Sequence, residues 1–246
     1  MTLPDVVSAE EWKAARIELL AEEKAMTRAR DALSTKRRQL PMVRVDKDYT
    51  FEGPNGPASL LELFEGRHQL IVQHFMFDPT WEDGCSSCTA TADELSDGLL
   101  AHLHVRDTTF AVVSRAPLDR IERYKAKRAW TFPWYSSYGS DFNYDFHVTI
   151  DATVAPVEFN FRGPDELRDA GMQWLLEGST EQPGNSFFLQ VDGEVFLTYS
   201  TFARGTEWIG GSYAFLDLTA LGRQEDWEEP KGRTDNVRKA QPDFSS

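Results

Sequence analysis

Leu70-Ile71-Val72-Gln73-His74-Phe75-Met76-Phe77, followed after a short gap by Gly84-Cys85-Ser86-Ser87-Cys88, is the stretch that decides the fold. The first run is apolar at nearly every position, the pattern of a strand covered on both faces. The second holds the only two cysteines of the chain, three positions apart. Beyond it, Ala92, Leu95, Leu99 and Leu103 recur at helical spacing. A Cys-x-x-Cys that opens a helix just after a buried strand is the arrangement of a dithiol redox site. A helix start offers free N–H groups and the positive end of the dipole, and both stabilise a thiolate, the species that attacks.

Downstream, Phe110-Ala111-Val112-Val113 reads as a second buried strand. Pro117 fits the first position of a helix marked by Leu118, Ile121 and Tyr124. Strand, helix, strand, helix implies a right-handed parallel crossover. An aromatic stretch, Trp130 to Phe146, follows, and Gly163-Pro164-Asp165-Glu166-Leu167 starts a helix expected to end near Gly178. Phe187 to Tyr199, with Asp192-Gly193 at its centre, carries the strongest short hairpin signal. The fold class is therefore α/β and thioredoxin-like, in the order β-α-β-α-insertion-β-hairpin-α, with the insertion at about 130–180. In open parallel sheets reactive groups gather beyond the carboxyl ends of the strands. Cys85 and Cys88 belong there, and so does Arg115, just after the second core strand.

Upstream, Ser8-Ala9-Glu10-Glu11 is a capping box for a helix expected to run to about Leu33, with Trp12, Ala15, Leu19 and Met26 on an inner face. Lys36-Arg37-Arg38 reads as a solvated helix end. Val43, Val45, Tyr49 and Phe51 alternate loosely before the turn cluster Gly53-Pro54-Asn55-Gly56-Pro57, and Ser59 is placed to cap a short helix through Phe64. The organisation is a helical extension over 1–40, a thioredoxin-like domain over 41–223, and a polar tail over 224–246 expected to be extended or disordered. No internal repeat is found.

Hydrophobic content of 41% and aromatic content of 12% over 246 residues suit a folded core. A formal net charge of −14 argues against nucleic acid and anionic membrane as partners. No stretch reaches the roughly 20 apolar residues of a membrane span. The opening Met1-Thr2-Leu3-Pro4-Asp5-Val6-Val7 lacks a basic segment followed by an apolar one, so a cytoplasmic, reducing setting is expected. In that setting a close cysteine pair is catalytic or metal-binding more often than structural.

The chain resembles the bacterial DUF899 proteins. The matching words are Gly84-Cys85-Ser86-Ser87-Cys88, Val113-Ser114-Arg115-Ala116-Pro117-Leu118, the stretch Trp130 to Phe146, Tyr199-Ser200-Thr201-Phe202-Ala203-Arg204-Gly205 and Leu216 to Arg223. The resemblance covers nearly the whole chain and implies a thioredoxin-like fold with a dithiol–disulfide oxidoreductase activity. The motif departs from ordinary thioredoxins, which have Trp before the first cysteine and Gly-Pro between the two. Thioredoxins also place a cis-proline before the hairpin, facing the dithiol. Here Gly184-Asn185-Ser186-Phe187 leads into the hairpin and Pro183 reads as slightly too early, so Asn185 or Ser186 is expected in that place.

Cys85, earlier and more exposed, is the expected nucleophile, and Cys88, one turn into the helix, the resolving thiol. Trp81, Arg115, Trp134, Asn185, Ser186 and Arg204 are the candidates for binding substrate or tuning the thiolate. Glu82 and Asp83 oppose thiolate formation if they lie close. The expected partner is a protein or small-molecule thiol or disulfide; no cofactor is implied, and a homo-oligomer stays open. Three alternatives remain. A metal carrier would complete the cysteine pair with His74, His102, His104 or His147. A peroxidase is weakly echoed by Asp78-Pro79-Thr80-Trp81. A binding or auxiliary protein would use the scaffold with non-catalytic cysteines.

Overall fold

The computed structural model describes residues 4–209, 211 and 231. The expected tail and the closing helix after the hairpin lie outside these residues. Helix α1 (Ala9–Arg38) starts at the capping box: the Ser8 hydroxyl accepts from the Glu11 N–H, and the Glu11 carboxylate accepts from the Ser8 N–H at 2.9 Å. It runs five residues beyond the expected end. Trp12, Leu19 and Met26 are exposed on it, contrary to the inner face expected of them. This helix falls in a unit separate from that of residues 42–209.

The second unit is built on an eight-stranded sheet. Strand β4 (Gln69–His74) lies at its centre, parallel to β5 (Thr108–Ser114) and antiparallel to β9 (Gly184–Val191). Strand β10 (Glu194–Phe202) pairs antiparallel with β9 through a turn in which Asp192 and Gly193 both take positive φ, as the hairpin signal requires. The order β5-β4-β9-β10, with the first pair parallel and the others antiparallel, is the thioredoxin-like core. Strand β1 (Val43–Arg44) extends it beyond β10. On the other side come β6 (Trp134–Ser136), parallel to β5, and the hairpin β2 (Thr50–Gly53) and β3 (Gly56–Ser59). The aromatic insertion thus gives one strand to the main sheet. The rest of it forms α5 (Phe142–Asp145), a small two-stranded sheet of β7 (Thr149–Asp151) and β8 (Ser179–Glu181), and α6 (Pro164–Asp169). Helix α6 ends well before Gly178; a separate 3-10 turn, Gln173–Leu176, follows it.

Side chains alternate across the central strands and divide the core in two. Leu70, Val72, Ala111 and Val113 face a cluster with Phe51, Phe64, Phe142 and Phe188. Phe110 and Val112 face the other, where Phe75, Phe77, Cys88, Ile121, Tyr124 and Trp134 pack together. The second cluster is covered by α2 (Ser86–Asp93), α3 (Asp97–His104) and α4 (Leu118–Arg128). The sequence periodicity suggests a single helix after the cysteines. The chain instead breaks at residues 94–96, because the Ser96 hydroxyl accepts the Leu99 N–H and caps a new helix.

Candidate functional site

The last backbone bonds of β4 place the cysteines. Phe75 still donates to the Val113 carbonyl, but the Met76 carbonyl accepts the Cys85 N–H at 3.0 Å. The intervening loop therefore returns to the sheet end, and α2 starts there with Cys85 as its N-cap. Cys85 is half-buried and Cys88 is buried at 5% exposure; both are free thiols within hydrogen-bonding reach of each other. The Cys88 thiol, together with the N–H groups of Cys88 and Ser87, outweighs the opposing effect of burial and draws the Cys85 thiol down to about 6. Cys88 moves the other way. Its bond to Cys85, its burial and the neighbouring thiolate push it well above the ordinary thiol value. One sulfur is thus prepared to be a thiolate and the other to keep its proton.

The loop that carries this pair is held from α4. Arg120, Tyr124 and Lys127 stand four and three positions apart, on one helical face. Arg120 donates to the Trp81 carbonyl at 2.6 Å. Lys127 pairs with Asp83 at 2.9 Å, which neutralises one of the two carboxylates expected to oppose the thiolate. The Tyr124 ring meets Gly84, whose missing side chain is needed there: a Cβ would fall 2.5 Å from the Phe75 ring and 3.2 Å from Tyr124. The helical spacing of 120, 124 and 127 was the available signal for this clamp.

The other candidates are distributed unevenly. Trp81 packs, half-buried, against the same apolar cluster as Cys85. Trp134 is fully buried in β6; its indole N–H donates to Ser114 Oγ at 3.0 Å, and Ser114 in turn donates to the Phe75 carbonyl. It supports the end of β4 from within and does not wall a substrate pocket. Asn185 and Ser186 are buried inside β9, paired with Gln73 and Val72, and Ser186 Oγ bonds His74 Nε2 at 2.8 Å. Neither takes the place expected before the hairpin. The strand begins at Gly184, so Pro183, half-buried, is the residue directly before it, and Gly184 pairs with the last residue of β4. Arg204 lies in the 3-10 turn after β10, two strands from β4, where it pairs with Glu207 at 3.5 Å.

Arg115 is at the expected sheet end, but its hydrogen bonds go to other partners than sulfur. It donates to Asp78 at 2.6 Å, Glu181 at 2.8 Å and the Tyr144 hydroxyl at 2.5 Å. Burial acts to raise Asp78, but the Thr80 hydroxyl and N–H and the Arg115 guanidinium outweigh it and hold the carboxyl below its ordinary range. Glu181, at 3% exposure, is raised by burial, which Arg115 and the Thr149 hydroxyl offset only in part. Sequence reasoning missed Tyr144 and Glu181, because neither sits in a pattern that a buried ion network imposes.

Of the histidines weighed as ligands, His74 is buried in β4 and His102 and His104 lie in α3. Among the described residues no group of three or more His, Cys, Asp or Glu is arranged to hold a metal. Among them, too, no helix is long and apolar enough to cross a membrane.

A search of curated proteins gave no match. Among solved structures, a cysteine-to-serine mutant of PrxQ from Xylella fastidiosa is similar over 65% of this chain and 84% of its own, with 13% identity and a TM-score of 0.42. The bacterioferritin comigratory protein of Xanthomonas campestris is similar over 65% and 86%, at 12% identity and 0.41. A putative protein disulfide isomerase from Bacteroides thetaiotaomicron is similar over 66% and 82%, at 17% and 0.36. The model of one family, described as a bacterial protein of unknown function (DUF899), matches residues 1–241, and the chain belongs to that family.

Proposed function

We propose that this protein is a thiol–disulfide oxidoreductase in which Cys85 attacks and Cys88 resolves. The observation that carries the reading is the placement of the pair: half-buried Cys85 is the N-cap of α2 and Cys88 lies buried one turn in, which draws the first thiol down to about 6 and pushes the second up. The Cys85 thiolate attacks one sulfur of a substrate disulfide, and the other sulfur leaves and takes up a proton. Cys88 then loses its proton and attacks Cys85, which expels the second substrate thiol. Two electrons pass to the substrate with one proton from Cys88 and one from solvent, and a Cys85–Cys88 disulfide remains; the reverse order oxidises a dithiol. The partner is a protein or small-molecule thiol or disulfide in a reducing, cytoplasmic setting. Holding the reduced form as a thiolate favours it and makes the disulfide more oxidising.

A peroxide is the competing acceptor. Peroxiredoxins use an arginine near their reactive cysteine, and here the hydrogen bonds of Arg115 go to two carboxylates and a phenol. The test is turnover of glutathione disulfide and of an insulin disulfide, with hydrogen peroxide in parallel. Cys85→Ser is expected to abolish disulfide turnover, and Cys88→Ser to accumulate a mixed disulfide. Unchanged turnover in Cys85→Ser overturns the mechanism.

A further inference from the structure

We propose that Arg115 is a positioning residue for Cys85, acting through Asp78, and that α5 and the β7–β8 pair hold this arginine in place. The inference rests on the reading of Cys85 as the attacking thiol. Arg115 directly follows Ser114, the fully buried last residue of β5. Its three nitrogens point to three different segments. Nη2 reaches Asp78 at the start of the cysteine loop, Nη1 reaches Tyr144 of α5, and Nε reaches Glu181 at the end of β8. The side chains of Arg115 and Asp78 are only 15% and 16% exposed, and that of Glu181 2%, so solvent screens these pairs little.

Asp78 divides its two oxygens. Oδ1 accepts from the Thr80 N–H at 2.8 Å and from its hydroxyl at 2.6 Å, which shapes the turn leading into the loop. Oδ2 accepts only from Arg115 among these bonds. The turn is thereby fixed to β5, and through Glu181 to Thr149 of β7. Planar, three-sided donation of this kind is the property of a guanidinium that an ammonium lacks. At the far end of the same loop, Cys85 depends on two placements: its N–H on the Met76 carbonyl, and its sulfur over the first N–H groups of α2. Releasing the near end lets the loop sample positions in which the sulfur leaves those donors.

The test reads the pH profile of Cys85 alkylation by iodoacetamide in folded full-length variants, which needs no turnover. Arg115→Gln is expected to move the profile upward, so that at pH 6.5 the rate falls about three- to tenfold. Asp78→Asn is expected to move it in the same direction. If Asp78 acted only as a charge, its removal would ease ionisation and move the profile downward. The double variant is expected to be no slower than the slower single one, because the two residues act in series. Arg115→Lys should restore part of the loss. A wild-type profile in folded Arg115→Gln, a downward or absent shift in Asp78→Asn, or additive effects in the double variant each overturn the proposal. Should Arg115→Gln not fold, Asp78→Asn decides alone. Loss of the dithiol mechanism itself would appear separately, as unchanged disulfide turnover in Cys85→Ser.

Discussion

The Tyr124 hydroxyl lies 2.8 Å from Thr89 Oγ1, and both groups are buried. Thr89 donates its single hydroxyl proton to the Cys85 carbonyl at 2.8 Å, so the phenol is the donor in the first bond. A helix packed on the sheet thus reaches, through one threonine, the residue that begins α2. Tyr124→Phe keeps the ring against Gly84 and removes only the donor. The expected cost is about 1 kcal/mol in urea unfolding, because Thr89 retains its bond to Cys85. A loss of more than about 3 kcal/mol would show that the ring packing had also changed.

The opposed shifts of the two thiols predict one reactive sulfur. Alkylation of the reduced protein should follow a single ionisation near 6, with Cys85 modified and Cys88 protected, as read by peptide mass mapping. The sign for stability follows. A thiol that ionises more readily in the folded chain than in the unfolded one stabilises the fold fully above the unfolded value, and that contribution is lost as pH falls through about 6. Equal labelling of both cysteines would contradict this.

Gly84→Ala places a methyl group 2.5 Å from a ring atom of Phe75, which is 1% exposed and hemmed in by Tyr124, Trp130 and Trp134. The aromatic cluster has no free side to yield. A destabilisation of about 1–3 kcal/mol is expected. Its signature is a lowered urea midpoint together with an upward move of the Cys85 profile, since the methyl group displaces the backbone next to the N-cap. An unchanged midpoint would mean that the loop has slack there.

His74 predicts a different acid response. Burial lowers its pKa to about 3, so the folded chain holds it neutral where the unfolded chain protonates it. Its penalty is absent above about 6.5 and grows as pH falls from there toward 3. His74→Gln should therefore flatten the decline in stability between pH 6.5 and 4.5 by about 2–3 kcal/mol, one proton over two pH units. Parallel declines in the two proteins would place the linkage elsewhere.

Much of this fold could be read from local chemistry. The Asp192-Gly193 turn, the all-buried strand around Phe110–Val113 and the Ser8 capping box each depend on neighbouring residues, and each appears as read. What failed depended on distant partners. Strand β6 was hidden in an aromatic stretch because only the parallel neighbour β5 makes Trp134 a core residue. The start of β9 at Gly184 is set by pairing with His74, so the position of Pro183 could not be judged from the hairpin signal alone. The cysteine pair was legible because its chemistry is local. The ion network around Arg115 was not, since Asp78, Tyr144 and Glu181 are joined only by the folded chain.

Trp81 packs against the same apolar cluster as Cys85, four residues ahead of it. A disulfide quenches an excited indole at short range by accepting an electron, and below about pH 6, where the Cys85 thiol holds its proton, the reduced pair does so less effectively. Oxidising the pair should therefore dim the near-ultraviolet emission, and a Trp81→Phe protein should lose that change. A change that persists in Trp81→Phe would instead assign the response to Trp130 or Trp134, which pack in the same cluster.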